Sequence, residues 1–472
     1  MWFLVFLGTV FHILGILSAI EAVYKTRTSQ GTIAWGISLL TFPVVSVPLY
    51  WVLGRSRFKG YSAARKQEDE EVLAGLDKFN QGLEPYMLNE AEIGGAGHAA
   101  EKLAELPFLK GNKVDLLVDG DATFESIEEG ISSAKAYVLF QFFIINDDEL
   151  GRRMKKALEI KAKEGVRVYV LYDEVGSHTM PQSYRDDLIG AGAEILPFNT
   201  RKGKGNRFQL NFRNHRKNVV VDGKVTWIGG HNVGDEYMGK DPKFGHWRDT
   251  HVRIQGPSVL GAQLAFCEDW NWAADEMLSD LNWKPEITEG ASAVLVVPTS
   301  PADELESAAL MFHHAINSAK KRIWIASPYF VPDDSIVAAL QLAGLRGVDV
   351  RILIPDQPDH LLVYLAAFTY FEDASKTGCR VFRYTDGFLH QKTMLIDDVV
   401  SGVGTANFDN RSFRLNFEIT SLIADPDFAK KMEAMFENDF AHSREMTMAD
   451  VNDKKFLFKL MTRFARLTSP VQ

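Results

Sequence analysis

His215 and Lys217, in the stretch NHRKNVVVDG, sit two positions apart, and the same pair recurs as His390 and Lys392 in LHQKTMLIDD. Each pair is followed by an aspartate, Asp222 or Asp397, then by a small pair, Gly229-Gly230 or Gly404-Thr405, with Asn232 or Asn407 close behind. A metal site is a poor reading, because a charged lysine is no ligand and repels a cation. The chemistry that fits is attack on a phosphodiester. One neutral imidazole acts as nucleophile on phosphorus, while the other, protonated, delivers its proton to the leaving oxygen. Lys217 and Lys392, with the amides of Asn232 and Asn407, hold the non-bridging oxygens and stabilise the five-coordinate state. This scheme calls for no metal and no cofactor. If HRKNVVVD is a strand, residues 215 and 217 share a face that 222 does not. Asp222 and Asp397 are counted with the catalytic set as members of the repeated pattern, although VDGK reads as a tight hairpin and both acids read better as turn or scaffold groups.

Two such pairs make one site only if the chain folds them together, and an internal repeat supplies the means. ISSAKAYVLFQFFIINDDELGRRMKKALEIKAKEGVRVYVLYD is echoed by INSAKKRIWIASPYFVPDDSIVAALQLAGLRGVDVRILIPD. In each, a helix ends at Ser-Ala-Lys, an apolar strand follows (137–145 and 322–329), and paired aspartates cap a helix that closes at Gly165 or Gly347. A β-branched strand comes next, at 166–171 and 348–354. The expectation is an α/β fold of two duplicated α-β-α lobes with mixed, mostly parallel sheets, related by a pseudo-two-fold axis that brings both His/Lys pairs to the lobe interface.

At these residues the sequence resembles the phospholipase D superfamily, whose signature is a duplicated HxKxxxxD motif. Both copies are complete, with GG-x-N after the first and GTANFDNRS after the second, and the resemblance runs from about Val114 to Ser443. It implies one active site between two α/β lobes, no metal, and a covalent phosphohistidine. Carried over, His215 attacks and His390 shuttles the proton. Family members also orient each histidine with a carboxylate some distance after each motif, and the matching positions are Asp249 in HWRDTH and Glu418 in RLNFEI.

The rest of the chain bears on substrate. With 472 residues and 46% hydrophobic content there is material for two sizeable cores, and a net charge of -10 argues against a nucleic-acid-binding surface. Cys267 and Cys379 lack metal-type spacing and read as buried thiols. No Asp, Glu, Lys or Arg occurs from Met1 to Ile20 or from Thr28 to Gly54, so two retained transmembrane helices are expected, the second kinked at Pro43 and Pro48, with Trp35, Tyr50 and Trp51 near its ends. Arg55, Arg57, Lys59, Arg65 and Lys66 after the second span, against Lys25 and Arg27 between the spans, place the catalytic lobes in the cytoplasm.

The expected division is 1–54 membrane helices, 55–113 connector with a solvated KQEDEEV helix, 114–285 first lobe, 286–450 second lobe, and 451–472 a basic amphipathic C-terminal helix. That last helix suits an anionic bilayer or the protein's own core equally well. Arg201 to Lys217 is a basic stretch without acids that could draw anionic head groups or simply be a solvated loop. The N-terminal spans, NKVDLLVDGDATFESI, HWRDTHVRIQGP and the tail are similar to bacterial cardiolipin synthases. That resemblance implies a multi-pass inner-membrane enzyme joining two phosphatidylglycerol molecules into cardiolipin and glycerol. Its partners would be phosphatidylglycerol, other anionic phospholipids and the membrane, with no nucleic acid and with homo-oligomerisation left open. A membrane-anchored phospholipase D-type hydrolase or phosphodiesterase is the alternative.

Overall fold

The computed structural model describes residues 2–26, 28–54, 57–58, 60–61, 82–202 and 211–472; the KQEDEEV segment, most of the basic loop after Lys202, and Arg27, Arg55, Lys59, Arg65 and Lys66 lie outside the described residues.

Sixteen strands form one mixed sheet, and its order reads the same outward from a central seam. At the seam Leu109–Val118 pairs antiparallel with Ser292–Thr299. On the first side follow Thr250–Gln255, Val225–Gly229, Asn218–Val221, Tyr137–Phe142, Arg167–Asp173 and Glu194–Phe198. On the second side follow Asn416–Ala424, Val400–Gly404, Thr393–Ile396, Arg322–Ala326, Asp349–Pro355 and Arg380–Tyr384, with Ser443–Glu445 added at that edge. An antiparallel seam between two equal strand orders is what a pseudo-two-fold axis through the sheet produces. The mostly parallel sheet expected from sequence is corrected. Of the fourteen pairings along the path, four are parallel, the two outer ones of each half where a helix crosses over, and the other ten are antiparallel. Helical crossovers permit parallel neighbours, while hairpins such as Val221↔Val225 force antiparallel ones.

The repeated grammar explains the outer parts. Asp148 accepts from the Gly151 N–H to cap Glu149–Lys163, and Asp333 accepts from the Ile336 N–H to cap Asp334–Leu345. Gly165 (φ 87°) and Gly347 (φ 83°) turn each helix back into the next strand, in a conformation that favours glycine. The strands Tyr137–Phe142 and Asn218–Val221 are buried at every position, because helices cover both faces of the sheet.

The connector is less of a linker than its composition suggests. Its helix Glu90–Ala104 sits on Ser307–Ser318 and Ser292–Thr299, and Leu83, Ala100, Ala104, Leu106 and Phe108 are buried in the core of the second half. The seam strand begins at Leu109, ahead of the boundary at 114. Phe58 and Tyr61 are buried as well: Phe58 meets Phe212, Trp272 and Phe417 at 5.1–5.3 Å, and the Tyr61 hydroxyl donates to Asp269 at 2.8 Å.

At the N-terminus Trp2–Lys25 is the one helix, among the described residues, long and apolar enough to cross a membrane. The second apolar run is two shorter helices, Ser29–Thr41 and Pro43–Leu53, broken at Phe42 because Pro43 begins a new helix; Pro48 stays inside the second piece. All three pack together, with Trp35 edge-on to Tyr50 at 5.2 Å and the Trp51 indole donating to Ser18 at 3.2 Å. Tyr50 is therefore a buried packing residue.

Candidate active site

Each histidine leaves its own half to pair with the other. Arg213–Asn214 runs parallel to Asn416–Phe417, and the His215 N–H donates to the Phe417 carbonyl at 2.9 Å. Phe388–Leu389 runs parallel to Trp247–Arg248, and the His390 N–H donates to the Arg248 carbonyl at 2.8 Å. The residue after each accepting carbonyl is a carboxylate. Glu418 lies 2.9 Å from His215 Nδ1 and Asp249 lies 2.7 Å from His390 Nδ1. The carboxylates are thus exchanged between halves: the acid following the first motif holds the second histidine, and the reverse. A hydrogen on Nδ1 given to a carboxylate fixes the tautomer and leaves Nε2 for chemistry. Lys392 Nζ lies 2.9 Å from the same Nδ1 of His390, which has a single hydrogen. The shorter contact to ionised Asp249 takes that hydrogen, and the lysine donates to the His390 carbonyl.

Both rings are buried, and burial is the main reason their proton affinity falls. His215 is lowered to about 4, with Lys217 adding to the effect and Glu418 opposing it. His390 is lowered to about 3, with Lys392 adding and Asp249 opposing. Burial also lowers Lys217 well below the ordinary lysine value, and Lys392 to about 8. Against the opposing effect of burial, His231 and His390 hold Asp249 well below the carboxylate range, and His215 and Lys217 lower Glu418. The site without substrate therefore holds two neutral imidazoles between two carboxylates, with lysines whose proton affinity is lowered by burial and would be raised again by a bound anion.

Asp222 and Asp397 are not in this cleft, which corrects their place among the catalytic residues. Asp222 (φ 53°) and Gly223 (φ 66°) make the hairpin turn, and the Asp222 carboxylate accepts from the N–H groups of Lys135, Ala136 and Tyr137 at 2.8–2.9 Å. Asp397 (φ 51°) accepts in the same way from Lys320, Lys321 and Arg322. Each aspartate ties its hairpin to the start of the neighbouring strand. Asn232 is also largely committed: its Oδ1 accepts from the Ile144 N–H and its Nδ2 donates to the Tyr237 hydroxyl. Asn407 donates its backbone N–H to Ser412, and its buried Oδ1 has no partner among the described residues. Lys217 donates to the His215 carbonyl at 2.8 Å.

Thr405, of the small pair after the second motif, donates to Glu418 at 2.6 Å, and Asn416 donates to it at 3.0 Å. Other residues of the site stand outside the repeated pattern. Phe143 stands edge-on to His215 at 5.0 Å, and Trp247 and Tyr237 lie 5.1 and 6.0 Å from the His390 ring. Beneath them Arg216, one of the variable letters of the motif, pairs with buried Asp269 at 2.9 Å, and Arg248 pairs with Asp439 at 2.7 Å. An arginine in an apolar strand context is the one signal that could have marked these. Both cysteines are buried and unpaired.

The family model described as "Cardiolipin synthase, PLD-like domain" matches residues 127–244 and 312–440, so it covers each His/Lys pair and Glu418, while Asp249 lies just past the end of the first match. The chain belongs to the cardiolipin synthases. "Phospholipase_D-nuclease N-terminal" matches residues 9–55. Cardiolipin synthase A of Pseudomonas fluorescens (strain SBW25) is 48% identical over 463 residues, 98% of this chain and 96% of that one. Cardiolipin synthase A of Pseudomonas entomophila (strain L48) is 48% identical over 473 residues, 100% of this chain and 98% of that one. Among solved structures, phosphatidylserine synthase of Haemophilus influenzae Rd KW20 shares the fold at TM-score 0.60 and 18% identity, over 80% of this chain and 100% of that one. As a cardiolipin synthase of the phospholipase D superfamily the protein is a phosphatidyltransferase, and its apolar N-terminal helix agrees with membrane association.

Proposed function

We propose that one site shared by both halves transfers a phosphatidyl group from one phosphatidylglycerol to another, giving cardiolipin and glycerol. The exchanged carboxylates carry this reading: they point two imidazoles from opposite halves at one cleft with Nε2 available on each. His215 Nε2 attacks the phosphorus of the first lipid, the bond to its terminal glycerol breaks, and His390 protonates the departing oxygen. The second lipid's terminal hydroxyl then loses its proton to His390, and its oxygen attacks the phosphohistidine and releases His215. Lys217 and Lys392 neutralise the non-bridging oxygens, and one amide hydrogen of Asn232 and the Asn407 amide assist. His390 is neutral in the empty site, so it takes up its proton as the anionic phosphate arrives, because added negative charge favours the imidazolium.

Transfer requires that water be kept from the intermediate. Supporting this, Phe143, Tyr237 and Trp247 close around the two rings, and the site hangs near the membrane segment. Asn211 donates to the carbonyl of Leu53, the last residue of the helix Pro43–Leu53. His215 is four residues farther on, at most about 14 Å of extended chain. For topology, the broken run 29–53 is long enough in total, at roughly 36 Å of helix, to return across a core of about 30 Å. With Trp2–Lys25 this gives two passes, and the basic residues after Gly54 favour cytoplasmic lobes. Incubating purified protein with phosphatidylglycerol vesicles and analysing the lipids by mass spectrometry tests the reading. Cardiolipin with equimolar glycerol is expected, and phosphatidate without cardiolipin would assign a hydrolase instead.

A further inference from the structure

The C-terminal helix Phe456–Leu467 divides into three sectors, as its spacing at about 100° per residue requires. One sector docks on the protein: Thr462 and Ala465 are buried, and Phe458 meets Phe368 of the helix Leu361–Ser375 at 5.1 Å. A second holds Lys459, Arg463 and Arg466; the two arginines pin the helix through Glu372 and Asp373 at 2.6 Å each. The third, an arc of about 140°, is Phe456, Leu457, Leu460, Phe464 and Leu467, exposed at 80, 65, 40, 61 and 74%, with Met461 at its edge. The apolar stripe thus serves the core with one sector and leaves a larger one uncovered. A soluble surface rarely carries so many large apolar side chains side by side.

What covers that face follows from where the helix ends. The Gln472 carbonyl accepts from the Arg411 N–H at 2.7 Å, Arg411 Nη2 donates to the Asn211 carbonyl at 2.6 Å, and Asn211 Nδ2 donates to the Leu53 carbonyl at 3.0 Å. Three hydrogen bonds therefore join the last residue of the chain to the end of the apolar N-terminal helices. We propose that the outer face of Phe456–Leu467 lies in the surface of an anionic bilayer, the one those helices enter, and that it holds the second half against the lipid from which substrate comes. The helix has no acidic residue, and Lys454, Lys455 and Lys459 flank its start, which matches anionic head groups. The inference rests on the chain's membrane association and not on the transfer chemistry.

Because Cys267 and Cys379 are buried, a single introduced thiol can be labelled with an environment-sensitive dye in the full-length protein. Leu460→Cys and Phe464→Cys are reconstituted in phosphatidylcholine vesicles with phosphatidylglycerol. Lys430→Cys is the control: it lies on Pro426–Ala441, which starts at the end of the strand Asn416–Ala424 remote from His215. A blue shift and quenching by acyl-chain-brominated lipid are expected at 460 and 464 and not at 430. A probe that stays in water overturns the proposal. So does a blue shift that lipid-borne bromine does not reach and that grows with protein density, since it gives the face to a second copy of the chain. Neither readout uses turnover, so a failure here is distinct from a failure of the synthase reading.

Discussion

Replacing Glu418 by Gln should disable His215, and replacing Asp249 by Asn should disable His390, although each acid follows the other histidine's motif. Glu418 Oε2 receives both the His215 Nδ1 hydrogen at 2.9 Å and the Thr405 hydroxyl at 2.6 Å, while Asn416 donates to Oε1 at 3.0 Å. All three neighbours donate, so an amide nitrogen at either position faces a donor. The ring can answer by moving its hydrogen to Nε2, which removes the nucleophile's lone pair. A hydrogen bond to a charged group contributes about 1.5–3 kcal/mol, or roughly tenfold to 150-fold, and the wrong tautomer adds to it. The expected loss for Glu418→Gln is on the order of 10²- to 10⁴-fold in the rate of covalent intermediate formation. Rapid-quench assays with phosphatidylglycerol and with a phosphatidyl ester of p-nitrophenol separate the two acids. A good leaving group needs no proton, so the p-nitrophenol burst should survive Asp249→Asn and be lost in Glu418→Gln. The opposite pattern would refute the exchange of carboxylates.

Asp222→Asn should keep most turnover per folded molecule but lower stability by about 1–3 kcal/mol, measured by chemical denaturation, because the turn keeps its backbone conformation and loses a charged acceptor for three N–H groups. Gly230→Ala should cut kcat strongly with little loss of secondary structure by circular dichroism, since an added Cβ would stand 2.0 Å from Asp249 Oδ1 and push the acid off His390. In pH profiles of kcat/KM, the acid limb belonging to His215 should lie near pH 4, not near 6.5, because the folded ring gives up its proton more readily. Stability should move with it: between about pH 4 and 6.5 the unfolded chain binds protons that buried His215 and His390 do not, so unfolding free energy should rise with pH across that window and fall on acidification.

The cleft was legible in the sequence where it repeats. A lone His-x-Lys says little, and two of them inside a duplicated strand-helix unit place both at an inter-lobe axis. The turn role of Asp222 could be read from VDGK, since a hairpin acid with positive φ is a local property. The exchange of Asp249 and Glu418 could not, because it depends on the short strands Arg213–Asn214 and Phe388–Leu389 crossing the seam to pair with the other half. Two-residue strands leave no periodic pattern. The antiparallel majority of the sheet was hidden for a related reason: burial on both faces erases the alternation that separates hairpins from crossover strands. The break at Phe42 was signalled by Pro43, whereas the burial of Tyr50 against Trp35 belongs to the packing of three helices and has no local mark.

The nucleophile can be observed directly. Purified protein mixed with phosphatidylglycerol, quenched in alkali on the millisecond scale to preserve the acid-labile P–N bond, and digested for peptide mass spectrometry should carry a phosphatidyl group on His215. That adduct should disappear as acceptor lipid is added and cardiolipin forms. An adduct on His390, or cardiolipin forming at full rate in a His215→Ala protein, would contradict a site in which His215 attacks and His390 moves the proton.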